Sequence, residues 1–216
     1  MFLSRVEVNP YRRETMVALQ SPQVMHAAIM ASFPSFEQLS EGRILWRVDK
    51  VGSATYILIQ SSRKPDMTHL VDQYGRPNAG QKGETLDYEP FLLSISKGEV
   101  FRFRLSANPT YSGPAPKDGG RGKVYPHVTV KQQLQWLVGK SEGCGFSIVD
   151  DDGNVKADIV HREMRRFKRG DGWVSISYVV FEGVLRVSDP DTFRTSLISG
   201  IGRAKSYGCG MMTLMR

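Results

Sequence analysis

The stretch EVFRFRLSA, residues Glu99–Ala107, carries the clearest strand pattern in this chain of 216 residues. Apolar residues at 101, 103 and 105 point one way, and Arg102 and Arg104 alternate with them. Such a period of two is typical of a half-buried β-strand. The stretch therefore predicts the first strand of a folding unit that begins near residue 98.

The elements after this strand are expected in the order helix, strand, strand, helix, strand. A loop with four prolines and four glycines, Asn108–His127, comes first; loops of that length are often functional. The predicted elements then are a helix at Val130–Val138, strands at Phe146–Val149, Asp158–Phe167 and Trp173–Val187, a helix at Pro190–Ile198 capped by Asp189, and a strand at Met211–Leu214.

The residues before this strand predict a similar unit. A strand at Phe2–Val8, a helix from Pro22, a hairpin of strands around 44–49 and 56–60, a weak helix at Pro65–Val71 and a strand at Phe91–Ile95 give the order βαββαβ. That order is the ferredoxin-like plan. The prediction is an α+β protein of two tandem ferredoxin-like domains, residues 1–97 and 98–216.

Composition narrows the class of protein. Apolar residues make up 40% of the chain and charged residues 24%, which is ordinary for a folded soluble protein. No apolar run approaches the roughly 18 residues of a membrane helix, and the N-terminus lacks the pattern of a signal peptide. We therefore expect a cytoplasmic protein with no membrane partner, a monomer when free, whose Cys144 and Cys209 are free thiols.

Positive charge is concentrated in a few segments. The formal net charge is +7, and HREMRRFKR at residues 161–169 contains five Lys or Arg against Glu163 alone. This basic segment predicts a hairpin that contacts nucleic-acid phosphates, although a solvated hairpin tip is the more common fate of such a run. Its predicted RNA-binding residues are His161, Arg162, Arg165, Arg166, Lys168 and Arg169, and Arg102 and Arg104 are added from the middle of the chain. Those two belong to a basic middle segment that also contains Lys117, Arg121 and Lys123 against Asp118 alone.

The glycine-rich segment GIGRAKSYGCG, residues 200–210, is a second candidate for phosphate binding. It matches neither a P-loop nor a dinucleotide fingerprint. Glycines permit close backbone approach, and the intervening cations favour phosphate over a merely flexible connection. The residues predicted to bind here are Gly200, Gly202, Arg203, Lys205, Gly208 and Gly210.

Of the four histidines, His26 has the most distinctive setting. Ser21 and Pro22 predict a helix start, and Val24, Ala27, Ala28 and Ala31 predict its buried stripe, with His26 beside that stripe. Position alone gives this ring a minority chance of catalysis. No zinc, calcium or nucleophile-elbow motif is present, so we expect no metal ion and no organic cofactor.

The chain resembles the CasE family of CRISPR-associated endoribonucleases over nearly its whole length. The matching stretches, in order, are FLSRVEVNP (2–10), SPQVMHAAIMASFP (21–34), ILWRV (44–48), FRFRLSANPT (101–110), VVFEGVLRVSDP (179–190) and GIGRAKSYGCGMMTL (200–214). No single stretch suffices, but the ordered set is specific. A generic RNA-recognition module is disfavoured because its aromatic signature is missing.

The resemblance implies two RRM-like domains and metal-independent cleavage of precursor CRISPR RNA at the base of a repeat stem-loop. It also implies a 2′,3′-cyclic phosphate product, retention of the product hairpin, and assembly with other Cascade subunits. The family's catalytic histidine falls on His26.

One departure concerns the residue three positions earlier, where well-known members carry tyrosine and this chain has Gln23. Glutamine does not readily exchange protons. Tyr11, Lys205 or Tyr207 then remain as auxiliary residues, or His26 acts nearly alone. A cleavage-deficient RNA-binding subunit is the alternative that Gln23 supports.

Overall fold

The computed structural model describes residues 1–33, 43–76, 80, 83–116, 119–120 and 122–216. Its first sheet contains β1 (Phe2–Val8), β2 (Leu45–Val51), β3 (Ala54–Ser61) and β4 (Glu84–Asp87) in the spatial order β2-β3-β1-β4. Helices α1 (Arg13–Gln20) and α2 (Pro22–Met30) connect β1 to β2, and α3 (Thr68–Tyr74) connects β3 to β4. This antiparallel arrangement is the ferredoxin-like plan.

The second sheet repeats that plan and contains two long strands. After α4 (Glu89–Ser94), the elements are β5 (Val100–Ala107), β6 (Thr110–Ser112), β7 (Val124–Pro126), α5 (Val130–Ser141), β8 (Phe146–Ser147), β9 (Ala157–Arg169), β10 (Gly172–Val187), α6 (Pro190–Ser199) and β11 (Met212–Met215). The sheet order is β11-β5-β10-β8, and β9 also pairs with β10. The predicted fold class is therefore confirmed.

Each sheet buries one apolar face under its own helices. In the first half, Val6, Ile57 and Ile59 of the sheet pack with Met25 and Ile29 of α2. In the second half, the alternating apolar residues of β5 and β10 pack with α5 and α6; this core includes Phe101, Phe103, Leu105, Phe181, Leu137 and Leu197. Because Arg102 and Arg104 alternate with the apolar residues of β5, their side chains lie on the opposite face of the sheet.

Capping side chains explain where two helices of the second half begin. Thr129 and Gln132 form a reciprocal capping box at the start of α5. Asp189 accepts hydrogen bonds from the backbone N–H groups of Asp191 and Thr192, as predicted for α6.

Two predictions in the first half are wrong. The segment Phe91–Ile95 is largely helical, as part of α4, and the strand that closes the first sheet is β4 instead. The predicted stripe of α2 is also wrong, because Val24 is exposed and the buried residues are Pro22, Met25 and Ile29. Almost every residue of this helix is apolar, so its pattern cannot identify the buried face; the larger Met and Ile side chains fill the core.

The proline- and glycine-rich loop at residues 108–127 has more order than predicted. Strands β6 and β7 pair within it, and the rings of Tyr111 and Tyr125 stack across the pair with centroids 5.6 Å apart. Lys117, Asp118 and Arg121, which were assigned to the basic middle segment, lie outside the described residues. No helix in the described part of the chain is long and apolar enough to span a membrane.

A buried ionic network joins the two sheets. Arg47 of β2 is 1% exposed, and its guanidinium donates to both carboxylate oxygens of Asp49 at 2.8 and 2.6 Å. The same group donates to the carbonyls of Arg104 and Met211 and to Thr213 Oγ1 in the second sheet. These bonds hold the two sheets together through the faces that their helices leave uncovered.

The domain boundary predicted between residues 97 and 98 stays a prediction. Tyr88, Leu92 and Ile95, which precede it, pack into the core of the second half.

Candidate nucleic-acid interface

His26 lies on the second turn of α2, four residues after Pro22, which begins the helix. Its imidazole is half-buried, and Nδ1 is buried without a hydrogen-bond partner among the described residues. Burial lowers the pKa of His26 below its ordinary value of 6.5, because desolvation disfavours the charged ring. The ring is therefore mostly neutral at pH 7 and is not held in one tautomer by a described neighbour.

Helix α2 rests on two segments of the second half. One is the short 3₁₀ turn Lys205–Tyr207, and the other is the long strand β9. The helix carrying His26, the glycine-rich segment and the basic strand thus meet at one place. Sequence reasoning proposed these three segments separately, and the fold brings them together.

The four auxiliary residues occupy different surroundings. Gln23 is half-buried in the first turn of α2 and therefore lies on the same helix as His26, while Tyr11 is 85% exposed before α1. Lys205 donates from Nζ to the carbonyl of Ser199 at 2.7 Å, and burial lowers its pKa. The Tyr207 ring meets Phe167 of β9 edge-on, with centroids 4.8 Å apart. Lys205 and Tyr207 lie in the turn that α2 touches.

The side chains of β9 alternate between two faces of its sheet. On one face, Arg166 and Lys168 lie over the ring of Trp173, with the guanidinium carbon 4.7 Å and Nζ 5.8 Å from its centroid. On the other face, Arg165 lies 3.5 Å from the ring centroid of Tyr178 and donates to Glu163 at 2.7 Å. Arg165 is therefore held by internal contacts.

The other predicted RNA-binding residues of β9 are exposed to solvent. They are His161, Arg162 and Arg169, and His161 Nε2 lies 3.4 Å from Glu163 Oε1. Together with Arg166 and Lys168, these residues form an exposed cationic strand, which we name the β9 cationic strand. Exposed cations on a long strand suit contact with a phosphate chain.

Arg102 and Arg104 have different roles in the structure. Arg102 is exposed. Arg104 forms ion pairs with Asp49, at 3.2 Å, and with Glu182, so it belongs to the ionic network between the sheets. Its assignment to RNA binding stays a prediction, and its carboxylate partners already neutralise the charge that this assignment requires.

Packing accounts for the glycines at residues 200–210. Gly200, Gly202, Gly208 and Gly210 all have positive φ, between 75° and 92°. A Cβ at Gly200 would lie 2.8 Å from Leu45, one at Gly208 2.9 Å from Trp46, and one at Gly202 3.0 Å from Trp136. The segment is thus packed tightly against both halves, and phosphate contact by these glycines stays a prediction.

Arg203 is exposed at the outer side of this segment. Its Nη2 donates to Ser112 Oγ of β6 at 3.1 Å, which connects the glycine-rich segment to the β6–β7 hairpin. Among the described residues, no group of three or more His, Cys, Asp or Glu side chains is placed to hold a metal ion.

A family model described as CRISPR associated protein matches residues 1–216, the whole chain. The chain belongs to this family. The motif-based prediction of a CRISPR-associated relationship is thereby confirmed. That prediction was based on a set of motifs that follow one another along the chain from the first strand to the last.

Individual members of the CRISPR associated protein family are similar over almost their full length. The CRISPR-associated endoribonuclease Cse3 of Thermus thermophilus is 26% identical over 222 residues, covering 99% of both chains. The CRISPR system Cascade subunit CasE of Escherichia coli is 26% identical over 202 residues, covering 88% of this chain and 89% of its own. A structure of Thermus thermophilus Cse3 bound to an RNA representing a pre-cleavage complex superposes with a TM-score of 0.82 at 23% identity, covering 100% and 98% of the two chains.

Sequence reasoning missed three residues that shape this region. Trp46 packs under Gly208, Tyr178 supports Arg165, and Arg47 joins the sheets. Their partners are distant along the chain, so no local spacing could have revealed the contacts. An arginine between apolar neighbours in ILWRV was the one available signal, because a cation on a buried strand requires a paired anion.

Proposed function

We propose that this chain is a metal-independent endoribonuclease that binds a CRISPR repeat stem-loop and cuts precursor CRISPR RNA at the base of the stem. It acts through two domains, residues 1–97 and 98–216, and keeps the product hairpin as a subunit of a Cascade complex. We place its site of action in the cytoplasm, together with the transcript and the other Cascade subunits that it is proposed to bind.

The observation that carries this proposal is the position of His26. Its half-buried, neutral ring lies on the helix that touches both the Lys205–Tyr207 turn and β9. A proton-exchanging group therefore lies near cations from two separate segments. RNA cleavage requires this combination of proton transfer and charge stabilisation.

The reaction is an in-line attack of a ribose 2′-oxygen on the adjacent phosphorus. A base accepts the 2′-hydroxyl proton as the 2′-O–P bond forms, the P–O5′ bond breaks, and the departing 5′-oxygen receives a proton. The products are a 2′,3′-cyclic phosphate and a 5′-hydroxyl. His26 acts as the base or the acid. The candidates for the second proton carrier are Lys205, Tyr207 and Tyr11, and the alternative is that His26 acts nearly alone.

The names of two relatives, and the RNA complex of one of them, support this assignment. Thermus thermophilus Cse3 is an endoribonuclease captured with RNA before cleavage. The Escherichia coli relative is named a Cascade subunit. Binding partners of the same classes, the repeat RNA and other Cascade proteins, are therefore proposed for this chain.

The test is cleavage of the host's repeat RNA in EDTA, followed by mapping of both new ends. We expect one cut at the base of the stem, a 5′-hydroxyl fragment and a 2′,3′-cyclic phosphate fragment. A cut that requires added Mg²⁺ or Mn²⁺ and leaves a 3′-hydroxyl contradicts the proposed chemistry. RNA prepared with a single 2′-deoxy nucleotide at the cut serves as the uncleavable control.

The second candidate function is a cleavage-deficient RNA-binding subunit, and Gln23 is the observation that favours it. In that case the repeat hairpin binds tightly, but excess protein leaves the strand intact in the same assay. The variant Gln23→Tyr distinguishes the two functions. If it cuts the repeat faster than the wild-type protein does, only the second proton carrier was missing.

A further inference from the structure

A cavity of about 390 Å³ lies beside the proposed cleavage site, between the two halves. Leu19 of α1 and Met25 of α2 contribute one wall, Trp46 and Val48 of β2 the floor, and β9 the opposite wall. We name it the α1–β9 cavity. Its volume falls in the range of roughly 300–1,000 Å³ that is usual for small-molecule sites.

The α1–β9 cavity is adjacent to His26. Pro22 and Met25 line it, and they lie four residues and one residue before His26 on the same helix. Residues four apart project from the same side of a helix, so the ring of Pro22 and the imidazole share one face of α2. His26 itself does not line the cavity, so whatever enters the cavity contacts the helix that carries the proposed reacting group at Pro22 and Met25.

A buried donor in the lining has no partner. Trp46 is 2% exposed, and its indole Nε1 makes no hydrogen bond to any described residue. The far edge of the same ring packs against Gly208, which fixes the orientation of the indole. A buried donor without an acceptor is unfavourable, and because this nitrogen is itself buried, the part of Trp46 that the cavity offers to a ligand is its aromatic surface.

The remaining lining joins apolar and cationic groups. Leu19, Met25 and Val180 supply apolar surface, and Tyr178 supplies an aromatic ring under Arg165. At the rim lie Lys50, His161, Arg104 and Arg165 with Glu163 among them, and β9 continues from there as the β9 cationic strand. The pattern suits a flat heteroaromatic ring whose attached phosphate stays outside.

We propose that the α1–β9 cavity receives one unpaired nucleobase of the bound repeat, from a nucleotide next to the scissile phosphate. The inference rests on the proposed function and adds a base-binding pocket to it. Inserting this base takes its nucleotide out of the stack and holds the neighbouring ribose and phosphate beside His26.

The test combines abasic RNA with a variant that fills the cavity. Each unpaired nucleotide near the stem is replaced, one at a time, by an abasic ribose, and single-turnover cleavage by the wild-type protein is measured. At one position the rate or affinity falls about tenfold, because contacts of one base with aromatic side chains commonly have this effect. In Leu19→Trp the unmodified RNA shows the same loss, and the abasic substitution adds nothing further.

The matched control is Val17→Trp, at an exposed position of the same helix that does not line the cavity. It retains the wild-type response to the abasic RNA. Should Leu19→Trp fail to fold, Val48→Phe fills the same space from the sheet. Equal abasic penalties in the wild-type and filled variants overturn the proposal.

Three other outcomes are informative. If the filled variants lose only a protein partner from the assembled complex, a side chain of that partner is the occupant, which overturns the nucleobase assignment. If the wild-type protein neither binds nor cuts the unmodified repeat, the proposed function itself fails. If the unmodified repeat is cleaved normally and no abasic position lowers the rate or the affinity, the nucleobase pocket is ruled out. The ribonuclease assignment then stands.

Discussion

Replacing His26 with alanine is expected to slow single-turnover cleavage of the repeat RNA by about 10²–10⁴-fold, the usual contribution of a general acid or base. The imidazole is the only side chain of α2 that exchanges protons near neutral pH. Affinity for the hairpin should change little, because the β9 cationic strand and Arg203 are untouched. The measurement is a rate with excess protein, paired with a binding curve on 2′-deoxy RNA.

The control for this variant is Val24→Ala, an exposed position on the same helix. It tests whether any change in α2 slows the reaction. Cleavage by His26→Ala at the wild-type rate removes the histidine from the mechanism. A parallel loss of binding and cleavage in His26→Ala points instead to a structural role.

The dependence of cleavage on pH distinguishes the two proton-transfer roles. Since burial lowers the pKa of His26, the neutral ring persists to a lower pH than for an exposed histidine. If His26 is the base, the rate is lost as pH falls through that lowered pKa. If it is the acid, the rate declines as pH rises through the same pKa. A wild-type pH profile identical in shape to that of His26→Ala excludes both roles.

Replacing Arg47 with methionine is expected to lower the free energy of unfolding by about 3–5 kcal/mol, because it leaves a buried carboxylate without its partner. Asp49 would retain Arg104 alone, and two backbone carbonyls in the second sheet would lose their donor. The measurement is urea unfolding, compared by midpoint and slope with the wild-type protein.

An exposed ion pair in the same sheet provides the matched control. Arg5 donates to Glu84 at 2.8 Å, and both side chains are more than half exposed. Arg5→Met should cost about 0–1 kcal/mol, since solvent screens such pairs. Equal losses in the two variants contradict the claim that the Arg47 network joins the halves.

The overall fold was predictable because several of its strands stand out in the sequence. The alternation of β5, the partial alternation of β1 and the two β-rich segments of the β9–β10 hairpin, with helix starts at Pro22 and after Asp189, were enough to give the ferredoxin-like order. The first half was less well predicted where amphipathic patterns are weak. Helix α2 is apolar nearly all round, and the short strand β4 could not be distinguished from loop by its composition.

The candidate site was only partly predictable. The basic segment and the glycine-rich segment stand out in sequence, and the family resemblance selected His26 from four histidines. The convergence of these segments depends on tertiary packing, because α2 and the Lys205–Tyr207 turn are separated by about 180 residues. The sequence also does not show whether a cationic side chain faces solvent or pairs with a carboxylate. Arg104 is an example, because it pairs with carboxylates.

The central claim is that His26 meets the scissile phosphate of a bound repeat hairpin. The most direct measurement is a structure of this protein with an uncleavable 2′-deoxy repeat RNA. We predict an imidazole nitrogen at about 2.6–3.2 Å, or one water molecule away, from the attacking or departing oxygen. RNA bound along the β9 cationic strand with every phosphate beyond reach of His26 would contradict the account.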